Sequence, residues 1–292
     1  VVIATLDRLS SLRVVLECLG RQTCPPMEII IAAAGGASDV QQLANEFPAG
    51  PSIRVIAFGI RSSAQQRNAA AALARGEVIA FLDDDIEFGD ELFAQMLAYF
   101  ASRDSAPGAI AARISADDRR RPGWFTRTYY RLQAGFPHPD FGGRLFGPGI
   151  NCTPVYPAGA PELYPSDWLP ATCLMVQTDL FRKEQFPSFE GYSFAEDVHL
   201  TARIARRAPL FFTSLCPIVH HSLPSEFKKD RAALTAGKLH NMGIIARDIL
   251  GFSRTRLTVS MTLHRLFLTL AVLRSRPPQW RKELSGIWTL SP

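Results

Sequence analysis

Four runs of nearly uninterrupted apolar residues, VVIAT, EIIIAAA, IRVIAFG and EVIAFL, fall in the first third of the chain, with helix-like or turn-like segments between them. A half-exposed strand alternates polar and apolar residues, whereas a continuous apolar run must be covered on both faces. That condition is met in a parallel sheet enclosed by helices. The expected fold is therefore α/β, Rossmann-like, with a mostly parallel sheet flanked by helices. After the first run, Leu12, Val15, Leu16 and Leu19 share one helical face, with Ser10 or Ser11 as the expected N-cap and Gly20 as the expected end. SSAQQRNAAAALARG reads as an alanine-rich helix closed by Gly76, and Asp90 as the N-cap of a helix that buries Phe93, Met96, Leu97 and Phe100.

From 117 to 170, Pro, Gly and aromatic residues dominate without a sustained period, which predicts an elaborated loop region on the substrate side. Apolar runs resume at TCLMVQ and LFFTSL, with a helix expected from AEDVHLTARIARRA between them. Residues 1–222 read as one domain and 223–292 as a helical extension. The 292 residues are 47% hydrophobic, which excludes a disordered chain, and the net charge is +5. That charge is unevenly placed: from Arg247 onward eight Lys/Arg face two acids, so the tail carries +6 and the rest about −1. LTVSMTLHRLFLTLAVL, at 257–273, is strongly apolar but interrupted by His264 and Arg265, and arginines flank it. It reads as an interfacial helix against anionic lipid, a peripheral membrane contact through 254–282, with a core helix as the alternative. Basic residues interleaved with aliphatics, and not with exposed aromatics, argue against nucleic-acid binding. Five scattered cysteines without C-x-x-C spacing predict free thiols. The chain also opens on a strand-like run without a leader pattern, and together these predict a cytoplasmic setting, peripheral at the inner face of the cell membrane.

The run EVIAFL ends in Asp83, Asp84 and Asp85, at the carboxyl end of a strand, where open α/β sheets bind ligands. Adjacent carboxylates repel unless a cation holds them, and hard oxygen ligands suit Mg²⁺ or Mn²⁺ on nucleotide phosphates. A solvated turn is the alternative. Glu196 and Asp197 open a helix, where the dipole favours acids, and a paired acid there could also take a proton from an attacking hydroxyl. His220 and His221 follow an apolar run and are metal or phosphate candidates.

The blocks RNAAAALARGEVIAFLDDD and EDVHLTARIAR, together with VIATLDR, RQTCPPMEIIIAAAGGASD, WLPATCLMVQTDLF and VHH, resemble the glycosyltransferase family 2 enzymes with the GT-A fold over roughly residues 1–222. The resemblance implies an inverting glycosyltransferase that moves a sugar from a UDP-, dTDP- or GDP-linked donor to an acceptor hydroxyl, on a glycan or a lipid-linked acceptor, in cell-surface polysaccharide or glycolipid synthesis. It implies a divalent cation, Mg²⁺ or Mn²⁺, held by Asp85 and Asp83 with His220 or His221. Thr5, Arg8, Arg67, Asn68, Asp83 and Asp84 would line the donor site. Asp197 would be the general base and Glu196 would position it or the acceptor, while Trp168 and Leu169 would shape the acceptor side. Ala33 and Ala34 stand where the family usually carries an acid that reads the nucleobase, and His199 stands at a frequent aspartate. The alternatives are a degenerate relative acting as a binding or scaffold protein, motivated by those alanines, and a nucleotidyltransferase. The second is disfavoured because TLDRLSS lacks a glycine-rich phosphate loop.

Overall fold

A computed structural model describes residues 1–48, 50–101, 106–115, 122–156, 161–189, 194–223 and 229–289. Strands β1 (Val2–Thr5), β2 (Glu28–Ala33), β3 (Ser52–Ala57) and β4 (Val78–Asp83) pair in parallel in the order β3-β2-β1-β4. Helices α1 (Leu9–Gly20), α2 (Ala37–Asn45) and α3 (Ser63–Ala71) make the connections. Beyond β4 lie the short β5 (Ile86–Glu87), α4 (Leu92–Phe100) and β6 (Ala109–Ile114). Farther along come α5 (Trp124–Ala134), β7 (Leu145–Phe146), β8 (Ile150–Asn151), β9 (Leu163–Ser166), β10 (Cys173–Gln177), α6 (Thr178–Glu184), α7 (Glu196–Ile204) and β11 (Leu210–His220). The sheet continues β4-β10-β6-β11-β5, with β10 antiparallel to both neighbours, β6 parallel to β11, and β9 on β11.

The runs of β1, β2 and β4 are covered on both faces, as their composition requires, but the IRVIAFG run is not: β3 is the edge strand of the sheet and its residues are half-buried or exposed. Val2, Ile30, Phe81 and Leu174 enter one core layer, and Ile3, Ile31, Leu82 and Met175 the other. Fully burying an aliphatic side chain of this size stabilises by about 1.5–3 kcal/mol.

Several expectations are corrected. α1 starts at Arg8 as N-cap without a side-chain cap, and Ser11 Oγ instead donates back to the Arg8 carbonyl from inside the first turn. Asp90 does not cap α4, whose N-cap is Glu91; it pairs with Arg21 at 3.3 Å, and its carbonyl accepts the Thr23 N–H. α3 is capped by Ser62 and ends at Ala71, before the expected Gly76. The region 117–170 is more regular than its composition suggested, because α5 and three short strands lie in it; its 117–121 and 157–160 lie outside the described residues.

Three helices follow β11: α8 (Arg231–Asp248), α9 (Arg254–Ser275) and α10 (Trp280–Trp288). Asp230 caps α8 by accepting the Ala232 and Ala233 N–H groups, and Ser253 caps α9 through the Arg256 N–H. α10 crosses α8 at Gly286, where a Cβ would collide with the Ala232 backbone. None of the five cysteines is in a disulfide.

Candidate active site

The carboxylates of the last residue of β4 and of the two that follow are held by overlapping sets of partners, with Arg8 shared by Asp84 and Asp85 and His220 by Asp83 and Asp85. Asp84 is buried and accepts from Thr5 Oγ1 at 2.7 Å and Arg8 Nη1 at 3.0 Å, which ties the end of β4 to the β1–α1 turn. Asp85 accepts from the same Arg8 Nη1 at 3.2 Å and from the Leu223 N–H at 3.0 Å, and faces His220 Nε2 at 3.1 Å. Asp83 takes Arg67 Nη2 at 2.5 Å and lies 3.9 Å from His220 Nε2. One ligand atom each from Asp83, Asp85 and His220 lies within 4.8 Å of the others.

His220 is there because the end of β11 pairs with β5 in a register that sets His220 opposite Ile86, beside Asp85. Successive residues of an extended chain alternate sides. His221 accordingly leaves the cluster and faces Glu87 at 3.5 Å, so only the first of the two expected histidines joins the acids.

The second acid pair opens α7, where Ala195 takes a left-handed turn (φ 64°) into the helix. Glu196 is buried, and its Oε1 accepts from Ser63 Oγ at 3.3 Å and Arg67 Nη1 at 3.5 Å. Asp197 is half-buried; its Oδ1 accepts the Val198 N–H at 2.8 Å and its Oδ2 the Ala171 N–H at 3.3 Å. Ser63 and Arg67 are one turn apart on α3, so one face of that helix serves both acid groups. Arg67 is the physical link between them.

The environments push these acids in opposite directions. Burial raises the Asp85 carboxyl, but His220, the Leu223 N–H and Arg8 outweigh it, and its pKa falls below the usual range. Glu196 is raised to about 8, chiefly by burial and then by Asp197, with Arg67 opposing. Arg67 is drawn onto Asp83, so its contact with Glu196 is too long to offset the lost solvation. Asp197 is raised by burial, against its two backbone N–H partners and Arg67. Asp84 is raised, again by burial.

Residues 1–153 match the family described as Glycosyl transferase family 2. The chain belongs to that family. No curated protein matches it in sequence. Among solved structures, S. aureus TarS 1–349 superposes with a TM-score of 0.52 at 14% identity, over 98% of this chain and 88% of that one. The mannosyltransferase PcManGT from Pyrobaculum calidifontis, in complex with GDP-Man and Mn²⁺, gives 0.53 at 14% identity, covering 98% and 82%. GalNAc-T7 with UDP, GalNAc and Mn²⁺ gives 0.55 at 15%, covering 85% and 53%. These likenesses establish the GT-A fold.

In this family 2 chain the remaining expected site residues take other places. Asn68 faces away from the acids and makes a two-way hydrogen bond with the Phe186 backbone, at 2.9 and 3.0 Å. Trp168 and Leu169 do not line an open surface: they are 4% and 0% exposed, in the core behind Asp197. The Leu169 N–H donates to Thr201 Oγ1 at 2.9 Å, and that hydroxyl in turn donates to the Asp197 carbonyl at 2.7 Å. The WLP segment therefore supports the start of α7 from within the core.

Two groups at the site were not foreseen. Gln66 Nε2 donates to the Thr5 carbonyl at 2.9 Å and the Ala32 carbonyl at 2.7 Å, clamping the ends of β1 and β2, and Leu223 reaches Asp85 through its backbone. Gln66 lies next to Arg67 in the most family-like block, which was the available signal; a backbone contact from Leu223 leaves none. Just past the end of β2, Gly35 lies against the Asp7 carboxylate: a Cβ there would stand 2.5 Å from Asp7 Oδ1, so that side chain would have to shift. Two carboxylates from the end of β4 and just beyond it, with an imidazole from the end of β11, form a donor set that could hold a divalent cation.

Proposed function

We propose that this family 2 chain is an inverting, metal-dependent transferase that moves a sugar from a nucleoside-diphosphate sugar to the hydroxyl of a glycan or lipid-linked acceptor, in cell-surface polysaccharide or glycolipid synthesis. The observation that carries the reading is the division of its acids into two groups on either side of Arg67, with Asp85 pushed toward the charged form and Glu196 and Asp197 toward the protonated one. Groups whose environments drive their pKa values apart take different chemical roles.

Asp83, Asp85 and His220 would hold the cation, which when bound supplies positive charge to the diphosphate leaving group. Arg8 and Arg67 add fixed positive charge beside the same acids. Asp197 is only half-buried, so it is placed to accept the acceptor proton, and its raised pKa makes it a stronger base than an exposed aspartate. Glu196, fixed by Ser63 and Arg67, positions it. Attack from the side opposite the departing diphosphate inverts the anomeric centre. Asp84, held by Thr5 and Arg8, shapes the donor turn from behind.

The test incubates the purified chain with UDP-, GDP- and dTDP-sugars and Mn²⁺, and follows nucleoside-diphosphate release by phosphorus NMR and the anomeric proton of the product by proton NMR. Release from one donor class, only with metal and with inversion at the new bond, is expected. No release from any donor would favour the degenerate binding-protein reading, and retention of configuration would remove the base role of Asp197.

A further inference from the structure

Helix α9 has its polarity inside out. Its buried residues are polar: Ser260 Oγ donates to Gln133 Oε1 at 2.6 Å, and His264 Nδ1 lies 2.6 Å from Tyr129 Oη. Its exposed side is apolar, with Val259, Leu263, Leu266, Leu270 and Leu273 between 36% and 57% exposed. A helix packed on a water-facing protein buries the opposite set. By length and composition the helix could also cross a bilayer, with a mean hydropathy of 1.3 over its most apolar 18 residues. It does not leave the protein, however: α5 packs antiparallel along it through Phe125 on Phe267, Tyr129 on His264 and Gln133 on Ser260, and Trp288 Nε1 of α10 donates to Thr269 at 3.1 Å.

α5 extends the same surface. Trp124 is 76% exposed and Leu132 67% exposed, and with Phe125 and Trp288 they join the α9 stripe, so nine of the fourteen exposed large hydrophobics of the described residues sit on these three helices. An apolar patch of this kind marks an interaction site.

We infer that the outer faces of α5 and α9 form a platform that lies in the interface of an anionic lipid bilayer, parallel to its plane. Charge decides between this occupant and a second copy of the chain. α5 and α9 contain no acidic residue, while exposed Arg254 and Arg256 stand at one end of the stripe and Arg274 and Arg276 at the other. In a dimer through the stripe, parallel or antiparallel, arginine ends would meet arginine ends with no acid to receive them. A phosphate-bearing surface answers both ends at once, and tryptophans at the edge of an apolar face are suited to the headgroup layer. The surface would also bring the site to a lipid-linked acceptor, and that consequence alone rests on the transferase reading.

The test sediments the full-length chain with vesicles of phosphatidylcholine alone and of three parts phosphatidylcholine to one part phosphatidylglycerol. The wild type should bind the anionic vesicles, and added salt should weaken it. The double variant Leu263→Glu/Leu270→Glu, at exposed positions, should lose roughly tenfold or more in binding, with circular dichroism and nucleotide titration unchanged. Absence of wild-type binding to the anionic vesicles, or equal binding by the double variant, would overturn the inference. A wild-type dimer on sizing that the variant breaks, without vesicle binding, would also overturn it by making a second copy the occupant. None of these readouts depends on turnover, so they fail or succeed separately from the transferase assay.

Discussion

The acids that end β4 and the acids that open α7 share Arg67, but Asp85 of the first group is met by enough positive charge and N–H donors to fall below the usual carboxylate range, whereas Glu196 and Asp197 are pushed above it. Asp85 has His220, Arg8 and the Leu223 N–H around it. Glu196 has one hydroxyl and the far side of an arginine already committed to Asp83. The difference shows how one crevice can hold carboxylates in opposite states by the number of partners each receives; under the proposed function Asp85 would hold the cation and Asp197 would take the proton.

The largest effect expected from breaking this division is at the base. Asp197→Asn should lower the transfer rate by roughly a thousandfold while donor affinity, read by titration, stays the same. Arg67→Met removes the link itself. It leaves Asp83 and Glu196 facing each other without their shared cation and should cost about 3 kcal/mol of stability, measured by urea denaturation.

Glu196 and Asp85 also carry opposite pH linkage in the metal-free protein. A carboxyl raised to about 8, as Glu196 is, contributes stability that is present below its unfolded pKa and lost as pH rises through the folded value. The depressed Asp85 does the reverse, its contribution being lost as pH falls through its lowered pKa. The melting temperature should therefore drop by several degrees between about pH 5 and 8, and Glu196→Gln should flatten that slope. Smallest of all, His221→Ala should change metal affinity by less than about twofold, because His221 faces Glu87 outside the cluster; loss of His220 should not be so mild.

Much of this arrangement could be read from the chain. β1, β2, β4 and β10 are uninterrupted apolar runs, and a run buried on both faces announces itself. The carboxylates of β4 and α7 were visible because acids at those positions follow directly on such runs or open a helix. α2 was missed because only Val40, Leu43 and Ala44 of its nine residues are buried, too few for a period to stand out behind GGASD. β6 was missed for its shortness, since AIAARI fits a strand or a helix equally well. In 117–170, the aromatics that suggested loop are the packing surface of α5: Tyr129 stacks on Phe267 of α9 at 3.9 Å, a contact more than a hundred residues distant in sequence. Trp168 was expected on the acceptor side from the family resemblance, and only the three-dimensional packing reveals that it lies against Phe212 in the core. The serines at the start of α1 satisfied a capping pattern, but the helix begins earlier, at Arg8, whose side chain is committed to Asp84 and Asp85.

The central claim, that the cation-holding and proton-accepting acids are separate, is tested most directly by calorimetric titration of UDP, GDP and dTDP, with and without Mn²⁺, into the wild type, Asp85→Asn and Asp197→Asn. The account predicts that one nucleotide binds the wild type tightly only with metal, that Asp85→Asn abolishes the metal-dependent part, and that Asp197→Asn leaves it intact. Equal loss in both variants, or full metal-stimulated binding by Asp85→Asn, would contradict it.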